Sequence, residues 1–289
     1  MFEGSFVALV TPFKNGRVDE PALRALVDFQ IANGTQGIVP CGTTGESATL
    51  SHAEHDEVIR IVVDACKGKI PVLAGTGSNS TDEAITLTQH AQAAGASGSL
   101  LITPYYNKPS QEGLYRHFKT VAAETDLPVI LYNVPGRTSV NMLPNTVKRL
   151  SEIKNIVGVK EASGSLSQIT EIIALCGDDF TVLSGDDGLL WPILCVGGKG
   201  VISVTSNILP SRVAALCQAA RDGEMEKARK IHHELFRINE ILFIETNPVP
   251  VKAALHLMGK IDDEVRSPLA PLMRESFEKL KSVLSDYSL

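Results

Sequence analysis

Four short apolar runs of this chain end in residues that can do chemistry. Val157-Gly158-Val159-Lys160-Glu161 sets a lysine among apolar neighbours, and Tyr132 closes the run before it. Two further runs lead into Gly42-Thr43-Thr44-Gly45-Glu46-Ser47 and Thr103-Pro104-Tyr105-Tyr106-Asn107. Burying an ammonium is costly, so a lysine in such a place needs a reason. An amine stripped of water, or set beside another cation, favours its free base and becomes a nucleophile toward carbonyl carbon. Arg137, which follows Tyr132 in Asn133-Val134-Pro135-Gly136-Arg137, is the candidate cation. Imine formation moves protons at the lysine nitrogen and at substrate carbon, and the hydroxyls of Tyr132, Thr43 and Tyr106 are suited to relay them. Gly42 and Gly45 flank Thr43-Thr44 and allow a turn that aims backbone N–H groups at a carboxylate. Each sign has a bland counterpart. A strand-end lysine can snorkel or pair with Glu161, a tyrosine can be a core aromatic with a satisfied hydroxyl, and the glycine turn can be an ordinary strand-to-helix connection with Ser51 as the next cap.

Other reactive-looking spacings carry less. His52 and His55 stand three apart near a helix start but lack a third ligand, so no metal is expected. Gly197-Gly198-Lys199-Gly200 misses the Ser/Thr and upstream glycine of a nucleotide P-loop. There is no Gly-x-Ser-x-Gly elbow for a serine hydrolase, and His232-His233 reads as a solvated helix face. Cys41, Cys66, Cys176, Cys195 and Cys217 are odd in number and scattered without Cys-x-x-Cys spacing, which points to a reducing compartment rather than a disulfide framework.

The elements that must position Lys160 and Tyr132 are legible in the hydrophobic pattern. Eight β-branched, apolar runs recur: Phe6–Val10, Gly37–Pro40, Pro71–Ala74, Ser99–Ile102, Val129–Tyr132, Ile156–Lys160, Thr181–Ser184 and Val201–Val204. Amphipathic stretches at helical spacing separate them, for example Leu23, Leu26, Val27 and Ile31. Such alternation implies parallel strands joined by helical crossovers. The dinucleotide-binding glycine fingerprint is missing after the first strand, and eight repeats favour a (β/α)8 barrel over an open sheet. Catalytic groups of such barrels sit at the C-terminal strand ends, where the four unusual run ends fall. From Pro210 onward the pattern predicts helices only, broken at Thr246-Asn247-Pro248-Val249-Pro250. The expected division is a catalytic barrel over residues 1–224 and a helical appendage over 225–289. With 44% hydrophobic and 21% charged residues the chain has material for one large core. A net charge of −6 without a basic cluster suggests neither nucleic acid nor an anionic membrane as partner. With no basic leader and no apolar run near the roughly 18 residues of a span, a cytoplasmic location and small-molecule partners are expected.

Taken together, Gly42-Thr43-Thr44-Gly45-Glu46, Tyr132-Asn133-Val134-Pro135-Gly136-Arg137-Thr138 and Gly158-Val159-Lys160-Glu161 closely resemble the dihydrodipicolinate synthase family, over essentially the whole chain. The resemblance implies a class I aldolase-type lyase in which Lys160 forms an imine with pyruvate. It implies a proton relay of Tyr132, Thr43 and Tyr106, with Tyr106 reaching in from a neighbouring subunit. Arg137 would meet the second substrate, L-aspartate 4-semialdehyde, while Thr44, Gly185 and Ile202 would line the pyruvate pocket. The implied product is 4-hydroxy-tetrahydrodipicolinate, on the diaminopimelate route to lysine, made without metal or organic cofactor by a homotetramer built from two tight dimers. A second set of matches, Ser47, Ala48, His52, His55, Asn79, Glu83 and Tyr105, implies feedback inhibition by L-lysine at the dimer interface. Glu83 can pair with an ammonium, and the His and Asn groups offer neutral partners for the other polar end. Barrels such as N-acetylneuraminate lyase and oxo-sugar-acid aldolases share the lysine, the tyrosine and the glycine turn, and form the alternative. Arg137 directly after Val134-Pro135-Gly136, a fixed cation suited to a short acidic aldehyde, favours the synthase. A catalytically silent 2-oxo-acid-binding barrel would have no need of a proton relay.

Overall fold

The structure is a computed structural model and describes residues 2–289. Eight strands, β1 (Gly4–Ala8), β2 (Gly37–Val39), β3 (Leu73–Gly75), β4 (Gly98–Ile102), β5 (Val129–Asn133), β6 (Ile156–Glu161), β7 (Thr181–Ser184) and β8 (Gly200–Ser203), form one sheet in the order β2-β1-β8-β7-β6-β5-β4-β3. All its pairings are parallel, and a parallel bridge between Ile38 and Val72 joins the two ends. The fold is the (β/α)8 barrel, and each predicted apolar run coincides with a strand to within two residues.

Alternation along each strand sorts its side chains. Phe6, Ala8, Val39, Leu73, Leu100, Ile130, Leu183 and Ile202 fill the interior together with Tyr132. Their neighbours face outward into two larger clusters beneath the helices. Gly37 has no side chain because a Cβ there would lie 2.0 Å from the Phe6 ring, so that phenylalanine can close the lower part of the barrel.

The crossover helices are α1 (Glu20–Ala32), α2 (His52–Cys66), α3 (Thr81–Ala93), α4 (Gln111–Ala123), α5 (Pro144–Ser151), α6 (Leu166–Cys176), α7 (Leu190–Cys195) and α8 (Pro210–Arg221), with one extra helical turn at Pro135–Thr138. Asp19, Ser51, Ser80, Ser110 and Ser165 each precede a helix and accept the backbone N–H three residues on. These caps end the strand-to-helix loops and so help to fix the loops that carry the site. No helix among the described residues is long and apolar enough to cross a membrane.

Beyond the barrel come α9 (Met225–Ile241), α10 (Val249–Leu257) and α11 (Arg274–Asp286). Ile231, Leu235, Val251, Leu255, Leu280 and Leu284 share one cluster with Leu23, Val58 and Val213, so these helices pack on the barrel. Three details depart from the sequence reading. Residues 258–273 are not helical, as Gly259, Pro268 and Pro271 discourage a helix there, and Arg266 instead ties the segment to Glu54. Phe13–Lys14 and Arg17–Val18 form a hairpin whose Asn15-Gly16 turn has positive φ at both residues, 53° and 77°. His232 is half-buried rather than solvated, and burial lowers its pKa.

Candidate active site

β5 and β6 pair in a register that sets Tyr132 beside Lys160. Both point inward at the C-terminal end of the barrel, with the Lys160 amine 4.1 Å from the centre of the Tyr132 ring. Lys160 is 6% exposed, yet among the described residues no carboxylate or hydrogen-bond acceptor meets its Nζ. The pairing with Glu161 that the sequence left open is not formed. Glu161 is one residue on, so it faces the other side of the sheet, where Asn133, Gln168 and the Ser163 N–H donate to its carboxylate.

The amine opens on a cavity of about 370 Å3 lined by Thr43, Thr44, Tyr132, Arg137, Lys160, Gly185 and Ile202 among others. Every catalytic and substrate-binding candidate is therefore gathered here except Tyr106. That residue is 90% exposed, in a left-handed conformation with φ of 70°, and does not line the cavity of its own chain. No hydrogen bond among the described residues links Tyr132 to Thr43. Gly185 follows β7 and makes room for the lysine, since a Cβ there would come within 3.0 Å of Lys160 Cε and 2.7 Å of Ala162 Cβ.

Of the lining residues that escaped the sequence reading, which also include Ala162, Asp186 and Gly188, four come from beyond the barrel strands and their loops. Asn239, Glu240 and Phe243 come from α9 or just after it, and Asn247 from the break before α10. Asn247 ties two expected substrate contacts together: its Nδ2 donates to Thr44 Oγ1 at 2.9 Å, and its carbonyl accepts from Arg137 Nη2 at 3.1 Å. The proline-rich break was the only trace of it in the sequence.

The Thr43-Thr44 turn is held from beneath. Cys41 and Glu46, at its two ends, both take positive φ, 54° and 55°, which side-chain-bearing residues seldom adopt unless their surroundings impose it. Glu46 is buried, and Lys252 Nζ lies 2.5 Å from its Oε1 while the Arg266 backbone N–H donates to its Oε2 at 3.0 Å. Burial pulls the Lys252 amine below its ordinary range, against the attraction of Glu46.

A second cleft, of about 480 Å3, adjoins the first and shares Thr43, Tyr132, Arg137 and Asn247 with it. It gathers Ser47, Ala48, His52, His55, Glu83 and Tyr105. Asn79 is not among its lining; its carbonyl instead accepts from Asn107 Nδ2 at 2.8 Å. Ser78 and His52 both hydrogen-bond Glu83, and the Ser78 hydroxyl is the main reason its carboxyl lies below the usual range. His55 donates Nε2–H to the Gly75 carbonyl at 2.9 Å, and burial lowers its pKa, so it enters the cleft as a neutral group. Among the described residues no group of three His, Cys, Asp or Glu is placed to hold a metal.

Against this geometry, a model of the dihydrodipicolinate synthetase family matches residues 1–287. The 4-hydroxy-tetrahydrodipicolinate synthase of Citrifermentans bemidjiense is 62% identical over 289 residues, covering all of both chains. The chloride-inhibited dihydrodipicolinate synthase of Acinetobacter baumannii complexed with pyruvate superposes with a TM-score of 0.98 at 46% identity, covering 100% of this chain and 99% of that one. The dihydrodipicolinate synthase of Cyanidioschyzon merolae with lysine bound gives 0.97 at 41% identity, with the same coverage.

Proposed function

The chain belongs to the dihydrodipicolinate synthetase family of class I aldolase-type lyases, and from that premise we propose that it condenses pyruvate with L-aspartate 4-semialdehyde on Lys160. The observation that carries this reading is the buried Lys160 amine, unpaired by any carboxylate and facing a cavity at the barrel mouth. The amine adds to pyruvate C2, and loss of water leaves an imine. Removal of a methyl proton turns the imine into an enamine, whose carbon attacks the aldehyde carbon of the second substrate. The semialdehyde's own amine can then displace Lys160, closing the ring and freeing the enzyme. Thr44 and its turn suit the pyruvate carboxylate, Arg137 the semialdehyde carboxylate, and the Tyr132 and Thr43 hydroxyls the proton transfers.

Two finer points belong to the same reading. The exposure of Tyr106 supports its delivery into a neighbouring copy's cavity, so that the active form is a homotetramer of two tight dimers, and a fully active monomer in sedimentation would remove the shared site. The second cleft is the site of inhibition by L-lysine. Its ionised Glu83 suits the ammonium, and the wall it shares with the catalytic cavity couples the two ligands by about 1–3 kcal/mol. Titrating L-lysine into the assay tests this: inhibition should appear at millimolar lysine or below and weaken in Glu83→Ala.

The main test is borohydride reduction after adding pyruvate. Mass spectrometry should find the pyruvyl adduct on Lys160, and turnover should require pyruvate and the semialdehyde rather than N-acetylneuraminate. An adduct on another lysine, or none, would overturn the assignment.

A further inference from the structure

The register that sets Tyr132 beside Lys160 repeats one residue further along, on the outer face. There Asn133 lies beside Glu161, and both are fully buried. Asn133 Nδ2 donates to both carboxylate oxygens of Glu161, at 3.2 and 3.1 Å, and to Asn141 Oδ1 at 2.8 Å. Glu161 also accepts from the Ser163 N–H at 2.7 Å and from Gln168 Nε2 at 3.2 Å, and Asn133 Oδ1 accepts from the Met142 N–H at 2.9 Å. The backbones continue the pattern: Ala162 N–H donates to the Asn133 carbonyl at 2.9 Å and Gly185 N–H to the Glu161 carbonyl at 2.8 Å. Glu161 thus touches, in one place, the strand ends that carry Tyr132, Lys160 and Gly185.

A carboxylate is an expensive way to fill space beneath a helix, and burial pushes the Glu161 carboxyl above its ordinary range despite the four hydrogen bonds it accepts. Its value is directional. Hydrogen bonds fix the end of β5 against β6 in a way that apolar packing does not. A slide of those ends would change the gap between the Tyr132 hydroxyl and the Lys160 amine, and reaction rates are steeply sensitive to such misplacement. We propose that Glu161 and Asn133 are positioning residues that set Lys160 against Tyr132 from the outer face of the barrel. The proposal rests on Lys160 as the imine-forming lysine.

Three variants test it: Glu161→Gln, Asn133→Asp/Glu161→Gln and Gln168→Leu. The first keeps the shape of Glu161 but turns an N–H2 toward a donor. The second exchanges carboxamide and carboxylate, so that donor faces acceptor again. The readouts are the rate of borohydride-trappable adduct formation with pyruvate alone, kcat, the KM of each substrate and the melting temperature. Glu161→Gln should slow adduct formation and kcat by about tenfold or more while the semialdehyde KM stays within about twofold. The exchange should recover much of the rate, and Gln168→Leu, which removes one surface-side donor, should slow adduct formation about two- to threefold. Wild-type adduct formation by Glu161→Gln overturns the positioning role. So does a rate loss that the exchange leaves untouched although it restores the melting temperature. If Glu161→Gln does not fold, an unchanged rate in Gln168→Leu overturns it. A wild-type adduct on a different lysine removes both the proposal and the Lys160 reading, whereas an adduct on Lys160 with unaffected variants removes the proposal alone.

Discussion

Two lysines of this chain are almost wholly buried, and they are buried in opposite ways. Lys160 ends a strand at the mouth of the barrel, faces a cavity and meets no carboxylate. Lys252 sits in α10 with no exposed surface, its amine 2.5 Å from Glu46 and 4.3 Å from the centre of the Phe13 ring. Removing an ammonium from water costs several kcal/mol unless a partner offsets it. Lys252 has that partner, so its amine is held in place as a tether between α10 and the Thr43-Thr44 turn. Lys160 has none, and its amine stays free on the cavity, as the proposed imine chemistry requires. Burial alone does not set the proposed nucleophile apart from the structural lysine; the presence of a counter-ion does.

The difference between the two lysines should show most strongly at Lys160. Lys160→Ala should lose turnover by at least about 10³-fold, because the covalent route is deleted outright. Its melting temperature should change little, since no ion pair or hydrogen bond goes with the side chain. Lys160→Arg should fail as well, as a guanidinium stays charged. A large stability loss in Lys160→Ala would mean that the two lysines are alike after all.

Lys252→Met should do the reverse. It leaves the Glu46 carboxylate buried without its cation, at a cost of about 3–5 kcal/mol in unfolding free energy, measurable by urea titration. Adding Glu46→Gln removes the orphaned charge, so the double variant should be more stable than Lys252→Met alone. Borohydride should still mark Lys160 in whatever fraction stays folded. A neutral Lys252→Met would show that the pair contributes no net stability.

Tyr132→Phe is the milder chemical change. The ring that packs against the Lys160 amine remains and only the hydroxyl goes, so kcat should fall by about 10²-fold while the pyruvate KM moves far less. A rise in KM with kcat intact would make the hydroxyl a binding group instead.

The two lysines also mark what was legible in the sequence. Lys160 stood out because every neighbour in Val157-Gly158-Val159 is apolar and the run ends where a barrel places its chemistry. Lys252 stood in Val249-Pro250-Val251-Lys252-Ala253-Ala254-Leu255, where one lysine in a helix reads as a solvated residue. Its partner is 206 positions away, a distance that local patterning does not span. Asn247 was hidden for the same reason, although the break that holds it was visible. The eight strands were readable because both of their faces are buried and the runs are nearly continuous in apolar residues. The Asn15-Gly16 hairpin could have been found from its turn dipeptide; its strands are only two residues long, too short to show alternation. The loop at 258–273 carried prolines and a glycine that favour a stop, but its anchor, Arg266 on Glu54 and Glu46, is again long-range.

The smallest expected effect lies beside the buried pair, in a partly exposed one. Arg266 grips Glu54 with two hydrogen bonds, at 2.6 and 2.8 Å, while its guanidinium lies 4.2 Å from the centre of the same Phe13 ring that Lys252 meets. The hydrogen bond from Arg266 holds the Glu54 carboxyl down at about 2, against an ordinary value of 4.5. A depressed carboxyl stabilises the fold where it is ionised in both states, so its contribution is complete above the ordinary value. It is lost as the pH falls from about 4.5 through about 2, because the unfolded chain binds the proton first. Solvent screening keeps the effect small, about 1 kcal/mol. Urea unfolding of the wild type and Glu54→Gln at several pH values between 5 and 2.5 should show the wild type losing that much more stability than the variant. The carboxamide of the Glu54→Gln variant can still accept the Ser51 N–H of the α2 capping box, so a difference in slope reports the charge rather than the cap. Equal slopes would mean that the Arg266–Glu54 pair orients the 258–273 loop without stabilising it, and that on this side of the barrel only the fully buried Glu46–Lys252 pair stabilises the fold.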